Sequence, residues 1–342
     1  MGTIMKMIIS GAAITMAFLV GFGVINSTIK KKSKSLKINR RSKKQSVKTR
    51  TIQQNIDQIY SMMHNSYWKK IGIVENLIIY PVKSSEEPVS NDSFEFRDYG
   101  MYRQERGIHF WDGMFLIYNK TKGKFEDSRT HFILRSMAAT ITDTDEVTLR
   151  CDGMKNTVTL NINQYLNSAF RLTKETWNGT LETYCISNVD INEWVKQAIE
   201  TAEDVILVVM LPSNWNSTQK IRNNWSHFIQ GYNTMEEDET GKFITLPRFV
   251  LITSDTYVES HRRYKYLAPN IIINVDEEEM INPFEEKNWE WIKLGDNVIL
   301  RNVKPVPSCD EEVEHFGIYC GLWESSGNVK VDDEVYIYYS NT

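Results

Sequence analysis

The chain is poor in cysteine, and it lacks the short motifs that mark the common hydrolases and nucleotide-hydrolysing enzymes. Four cysteines scattered over 342 residues are too few for a disulfide framework, so a reducing compartment is the simpler assumption. The sequence has no Gly-x-Ser-x-Gly elbow, no His-Glu-x-x-His zinc motif and no P-loop. These absences argue against the enzyme classes that depend on those motifs.

Acidic residues are absent from the first 50 positions, which hold 12 of the 40 Lys and Arg. Since all 44 Asp and Glu come later, residues 51–342 carry 28 basic side chains and a formal net charge of −16. The hydrophobic content of 41% is that of an ordinary globular protein, and the length allows two domains. The sequence therefore predicts an acidic globule that follows a basic stalk.

One stretch, residues 7–29, is long and uncharged enough to cross a bilayer. As a helix it would extend about 34 Å. Eleven Lys and Arg follow between Lys30 and Arg50, and positive charge next to a span marks its cytosolic side. We predict a single-pass anchor at 7–29, a basic linker with a short helix at 30–70, and a cytosolic C-terminal part. The Asn-x-Ser/Thr matches at Asn119, Asn178, Asn216 and Asn224 would then not be glycosylated.

This topology has alternatives. The apolar run could be a cleaved signal peptide, or it could anchor a secretory-pathway protein with a lumenal domain. The basic tract at 30–50 could be a nuclear signal or a nucleic-acid arm. Its position directly after the apolar span favours a topological role, so no nucleic acid is expected as a partner.

Strand patterns dominate after residue 70. Apolar or β-branched runs predict strands at 73–82, 114–118, 132–134, 140–141, 147–151, 157–162, 205–211, 249–253 and 270–275, and residues 327–339 predict a final turn and a closing strand. An apolar stripe after Asp190 predicts a helix, and a second helix is expected from Ser254. Residues 213–240 are a long polar excursion, and 277–286 an acidic surface loop. The pattern predicts a β-rich α+β protein with few long helices.

Residues 289–309 carry the candidate reactive group. Two apolar runs flank Leu-Gly-Asp-Asn at 294–297, which is typical of a hairpin, and the second run leads through Pro305 and Pro307 to Cys309. Such a cysteine can fill apolar space or act as a soft metal ligand. A zinc site from Cys309, His315 and Cys320 is an alternative, but the spacing fits no common zinc pattern and lacks a fourth ligand.

Several segments, in this order, resemble one family. Residues 71–84, IGIVENLIIYPVKS, resemble the opening strand of the MOSC N-terminal β-barrel domain, whose hallmark is IYPVKSC. Residues 268–273, APNIII, resemble the RPNIV strand of the MOSC domain proper, and 289–309 resemble the segment with its cysteine. HFGIY at 315–319 and VKVDDEVY at 329–336 resemble its ending. With the anchor, the chain resembles the mitochondrial amidoxime-reducing component family.

The resemblance implies an N-terminal MOSC β-barrel domain at 71–190, packed on a MOSC β-barrel domain at 191–342. It also implies a molybdenum cofactor between them, with thiolate for the metal and cationic or hydroxyl groups for the pterin phosphate. Carried over by position, Cys309 is the metal ligand and catalytic residue. The cofactor-binding positions correspond to Lys83, Ser84, Asn270, Thr245 and, in one alignment, His109.

The activity that the resemblance implies is reduction of N-hydroxylated compounds such as amidoximes. Electrons would come from cytochrome b5 and its NADH-dependent reductase, at the mitochondrial outer membrane. Pyridoxal phosphate binding is a further property that the resemblance implies for the family.

The sequence also departs from the family pattern. Ala268 and Gly113 stand where the family has cofactor-binding arginines, and Ser308 replaces the arginine before the cysteine. Acidic residues 310–312 follow Cys309, and negative charge there disfavours an anionic cofactor. A MOSC-fold protein that has lost the cofactor and serves as a binding or scaffold protein is therefore the alternative function.

Overall fold

The computed structural model of the chain describes residues 68–97, 99–105, 107–144, 146–166, 170–176, 179–210, 249–263, 268–307, 315–323 and 327–338. Strands predominate in this part of the chain. They are β1 Lys69–Ile79, β2 Val89–Ser90, β3 Ser93–Arg97, β4 Gly100–Glu105, β5 Ile108–Trp111, β6 Phe115–Asn119, β7 Lys124–Phe125, β8 Ala138–Ile141, β9 Val147–Arg150, β10 Val158–Leu160, β11 Arg171–Thr176, β12 Gly179–Cys185, β13 Val205–Met210, β14 Phe249–Thr253, β15 Ile271–Val275, β16 Trp291–Leu294, β17 Val298–Pro307, β18 His315–Leu322, β19 Gly327–Lys330 and β20 Glu334–Tyr338.

Helices are few in the same residues, which confirms the β-rich class. The α-helices are α1 Ile162–Leu166, α2 Val189–Ala198 and α3 Ser254–Arg263. The 3-10 helices are Phe132–Ser136, Glu277–Glu279 and Glu285–Asn288. The strand predicted at 132–134 is therefore wrong, because a three-residue apolar run has no period by which to distinguish a strand from a helical turn.

Seven strands close into a barrel. They are bonded in the order β15-β14-β18-β17-β16-β20-β1, and β1 pairs with β15 as well as with β20, so the ring has no open edge. β14 and β15 are parallel with α3 between them in the chain, and the other pairs of the ring are antiparallel. β2 pairs antiparallel with the C-terminal end of β1.

Gly72 is the residue that lets the ring close. It is paired with Val275 of β15 on one side and Val335 of β20 on the other, beside a shift of register in β1. A Cβ at this position would lie 2.0 Å from the carbonyl oxygen of Asn274. The two backbones therefore approach closely enough that only glycine fits there.

Three smaller sheets complete the structure. Their strand orders are β11-β12-β13-β6-β7, β19-β3-β4-β5 and β10-β9-β8. β1 pairs with strands that come late in the chain, and the late strand β19 pairs with the early strand β3. The sheets consequently exchange strands, so no single point in the sequence separates them.

One continuous apolar core joins these sheets. All six residues of β13 are buried, and α2 packs on this strand with Ile191, Trp194, Val195 and Ala198 buried. The stacked rings of Phe96 in β3 and Phe249 in β14, 5.1 Å apart, connect the four-stranded sheet to the barrel. The barrel and the neighbouring sheet therefore share their hydrophobic interior.

Within the described residues, no helix is long and apolar enough to span a membrane. The predicted anchor at 7–29, the basic linker, most of the short helix predicted before residue 70 and the polar excursion at 213–240 lie outside those residues.

Candidate functional site

Three segments that are distant in sequence meet beside one end of β1. They are residues 80–85 after β1, residues 112–115 between β5 and β6, and residues 268–270 before β15; we call them the turn cluster. Backbone bonds of 2.8 Å run from Gly113 N to Tyr80 O, from Phe115 N to Pro81 O and from Lys83 N to Phe115 O. The first two segments are thus bonded along their length, and Lys83 is held at their end.

Asp112 connects all three segments. Its Oδ1 accepts a hydrogen bond from the backbone N–H of Tyr80 at 2.8 Å and another from the Nδ2 of Asn270 at 3.0 Å. Burial raises the pKa of the Tyr80 phenol, and the nearby Asp112 carboxylate raises it further. The Tyr80 hydroxyl stays protonated and donates to the carbonyl oxygen of Pro269 at 3.3 Å.

Asn270 is buried, and its amide is fully engaged as a donor. Its Nδ2 donates to the carbonyl oxygen of Ile78 at 3.1 Å and to Asp112, and its Oδ1 accepts from the backbone N–H of Val250 at 3.0 Å. Both amide hydrogens are therefore used within the protein. Asn270, predicted to bind a cofactor, joins the barrel to the turn cluster in the structure.

Lys83 lies at a corner of the turn cluster. Ser85 N donates to Val82 O at 3.1 Å, which closes a turn over residues 82–85. The backbone φ angle is positive at Ser84, 68°, and not at Lys83, and this combination defines a type II turn. The third position of such a turn usually requires glycine, so Ser84 stores strain of about 1–2 kcal/mol. The turn places Lys83 at its second position, half-buried, with Ser84 next to it.

Gly113 lies next to the aliphatic stem of the Lys83 side chain. Gly113 is buried with a φ of 65°, and a Cβ built on it would be 3.6 Å from the Cδ of Lys83. The lysine stem thus lies beside the position at which the family has an arginine. An arginine here would adopt an unfavourable left-handed conformation, so this backbone is suited to glycine.

Arg135, which no sequence pattern singled out, is a second cation close to this turn. Its carbonyl oxygen accepts from Glu86 N at 2.8 Å, and its Nη1 is 3.2 Å from the Oε1 of Glu86. Burial raises the pKa of Glu86, while the charge of Arg135 opposes that rise. The strand wrongly predicted at 132–134 hid this contact, because Arg135 belongs to the 3-10 helix that replaces it.

The other predicted site residues lie elsewhere or outside the described part of the chain. Cys309 and Thr245 fall outside it; β17 ends at Pro307, and β18 begins at His315. His109 is exposed on β5, where its ring stacks on Tyr102 at 5.5 Å and its Nδ1 is in a short hydrogen bond with the Tyr102 hydroxyl. The structure therefore brings together Lys83, Ser84 and Asn270, of the residues predicted to bind a cofactor.

Metal binding by the described residues alone is not supported. No group of three or more His, Cys, Asp and Glu in them is close enough to hold a metal ion. Cys320 is completely buried in the barrel, and burial raises the pKa of its thiol, which opposes the thiolate form that metals bind.

Residues 71–202 match the model of the MOSC N-terminal beta barrel domain. The match supports a MOSC domain protein. It covers the segment from the first barrel strand through α2, including Lys83, Ser84 and Asp112, and it ends before β14 and β15. No curated protein sequence matches the chain.

The turn cluster fits one end of a molybdenum cofactor, the phosphate. Lys83 offers an ammonium group on a half-buried turn, and lysine is an ordinary phosphate ligand. The fit is sparser than the family pattern, because Gly113 and Ala268 bring no charge and the Asn270 donors are already used. The predicted metal ligand, Cys309, lies outside the described residues.

Proposed function

We propose that this protein binds a molybdenum cofactor, with Lys83 and Ser84 at the phosphate of the pterin and the Cys309 thiolate at the metal. The observation that carries the proposal is the type II turn at 82–85, within the segment that matches the MOSC N-terminal domain. It presents a lysine whose backbone N–H is bonded to the carbonyl oxygen of Phe115, the first residue of β6. A phosphate dianion favours such a half-buried cationic donor over bulk water.

The reaction that we propose is reduction of N-hydroxylated compounds such as amidoximes. When bound, the molybdenum centre supplies the redox chemistry, so the chain needs mainly to bind it, orient it and admit substrate. Cytochrome b5 and its NADH-dependent reductase are the proposed electron donors. The proposed location is the mitochondrial outer membrane, with residues 7–29 as the anchor. These proposals rest on the family resemblance and the basic tract after the anchor.

A cofactor-free binding or scaffold protein is the second candidate. The observation that favours it is Gly113, whose left-handed backbone disfavours the arginine that the family has there. Ala268, in the third segment of the turn cluster, removes another guanidinium. Each charge-assisted bond that is lost would weaken cofactor binding by roughly 1.5–3 kcal/mol.

The molybdenum content of the full chain, produced in a host that makes the cofactor, separates the two candidates. We expect about one molybdenum per chain in the parent protein and loss of the metal in Cys309→Ala, because a soft thiolate suits this metal. Cys185→Ala is the matched control: this cysteine is buried in β12, so the variant should keep its metal. Reduction of an amidoxime by NADH, with the cytochrome and its reductase supplied, should be lost together with the metal.

Stoichiometric absence of molybdenum from the folded parent protein would contradict the first candidate and leave the second. Equal activity of Cys309→Ala and the parent would remove the role given to that cysteine. Loss of metal in Cys309→Ala and Cys185→Ala alike would point to unfolding and not to a lost ligand.

A further inference from the structure

We infer that Asp112 is a positioning residue of the candidate site, and that it sets the place of the Lys83 side chain through Tyr80 and Asn270. The inference rests on the proposed role of Lys83 in binding phosphate. Asp112 was not among the residues predicted from the sequence. Its carboxylate bonds Tyr80 and Asn270, which are 32 and 158 residues away in the sequence. Asp112 therefore joins segments that are distant in the chain.

The connection from Asp112 to Lys83 is short and stiff. Gly113, the next residue, donates to Tyr80 O, and two further backbone bonds join Phe115 to Pro81 and to Lys83, each 2.8 Å long. Val82 and Phe115 also form a parallel β-bridge. A shift of Asp112 would therefore move the backbone beside Lys83 and the Gly113 surface over which the lysine stem lies.

Asn270 fixes the same carboxylate from the barrel side. Its donors are used by Asp112 and Ile78, and its backbone is bonded in both directions to neighbouring strands, with Asn270 N to Val250 O at 2.8 Å and Ile78 N to Asn270 O at 2.9 Å. The barrel thus holds Asn270 in place, and the bonds of Asp112 to Asn270 and Tyr80 fix the position of the turn that carries Lys83. A site held in this way keeps its ligand-binding groups preorganised.

One oxygen, Oδ1, takes both bonds, and this makes a conservative variant informative. The amide oxygen of Asp112→Asn can accept both bonds without the charge. Asp112→Ala removes the acceptor of both bonds, and Asp112→Glu keeps the charge but moves it outward by one methylene. Positioning by hydrogen bonds therefore predicts that asparagine restores what alanine loses.

The test measures binding of inorganic phosphate to the full chain, observed by NMR of ¹³C-methylated lysines, with the Lys83 resonance identified by its absence in Lys83→Met. We expect phosphate to shift this resonance in the parent protein. In Asp112→Ala the apparent affinity should fall at least tenfold, and in Asp112→Asn it should stay within threefold. If Asp112→Ala does not fold, Asp112→Glu takes its place, and its apparent affinity for phosphate should likewise fall at least tenfold.

The matched control is Asp127→Ala. Asp127 also accepts two backbone bonds in a turn, from Arg129 N at 3.0 Å and Thr130 N at 3.2 Å, so Asp127→Ala removes a comparable pair of bonds whose partners lie outside the turn cluster. Parental affinity in Asp112→Ala would overturn the inference, as would an equal loss in Asp127→Ala. If phosphate leaves the Lys83 resonance of the parent unmoved, the proposed role of Lys83 fails, and the inference falls with it.

Discussion

Glu286 is a buried carboxyl group whose replacement by glutamine tests the energetics of the barrel. It lies in the 3-10 helix Glu285–Asn288 with an exposed fraction of 0%. Its Oε2 accepts a hydrogen bond from Thr256 Oγ1 at 3.1 Å, while Oε1 has no hydrogen-bond partner among the described residues. Burial raises the pKa of Glu286 from an ordinary 4.5 to about 7.

The raised pKa determines how stability depends on pH. Between about pH 4.5 and pH 7 the folded protein keeps a proton on Glu286 that the unfolded chain releases. The folded state binds more protons in this window, so the free energy of unfolding falls as the pH rises through it. A pKa difference of this size corresponds to roughly 3 kcal/mol at pH 8, at about 1.4 kcal/mol for each pKa unit.

Glutamine has the same shape, can accept the Thr256 bond and does not ionise. We therefore expect Glu286→Gln to be more stable than the parent by up to about 3 kcal/mol at pH 8, and by less than about 1 kcal/mol at pH 5. Urea unfolding followed by tryptophan fluorescence at both pH values measures this difference. Glu278→Gln, an exposed neighbour in the 3-10 helix Glu277–Glu279, is the control and should change neither value.

Two results would refute this reasoning. If the gain in Glu286→Gln is the same at pH 5 and pH 8, the effect does not come from ionisation. If the variant is less stable than the parent at pH 8, the carboxylate is charged and stabilising there, and the interior around Thr256 must solvate it.

Two further predictions concern closure of the barrel and topology. Gly72→Ala should lower the free energy of unfolding by at least about 2 kcal/mol, since its Cβ would meet the Asn274 carbonyl. The control Gly107→Ala, in open space with a φ of 78°, should lower it by about 1 kcal/mol. Equal losses of the two variants in urea unfolding would contradict the close approach at Gly72. Protease added to intact mitochondria should remove the globular part. Endoglycosidase-sensitive sugar on Asn119, Asn178, Asn216 or Asn224 would exclude a cytosolic location.

Local interactions explain which elements could be predicted from the sequence. The stripe of Ile191, Trp194, Val195 and Ala198 is buried on α2 as its helical spacing predicts, although the cap is Asn188, whose side chain accepts from Ile191 N. The Leu-Gly-Asp-Asn turn at 294–297 joins β16 to β17 as expected. A periodic stripe or a turn sequence involves residues that are near neighbours in the chain, so the pattern itself carries the information.

The candidate site was visible in part, and for a different reason. Lys83 and Asn270 were chosen by resemblance, and the structure places both in the turn cluster. Asp112 and Arg135 were missed, because an acid before a glycine or an arginine after an apolar run has no local feature that points to a site. Their importance comes from contacts with Asn270 and Glu86, which depend on how distant segments pack.

The acidic stretch at 277–286 shows most clearly what the sequence could determine and what it could not. Its composition predicts an exposed loop, and Glu277 and Glu278 are exposed. Glu286 is nevertheless completely buried, because α3 places Thr256 where it can bond both this carboxylate and the backbone N–H of Phe284. Closure of the barrel at Gly72 likewise depends on the pairing of β1 with both β15 and β20. Composition and period determined the elements and their buried faces, whereas burial of one particular charge depends on a partner distant in the chain, which only the tertiary structure brings into contact.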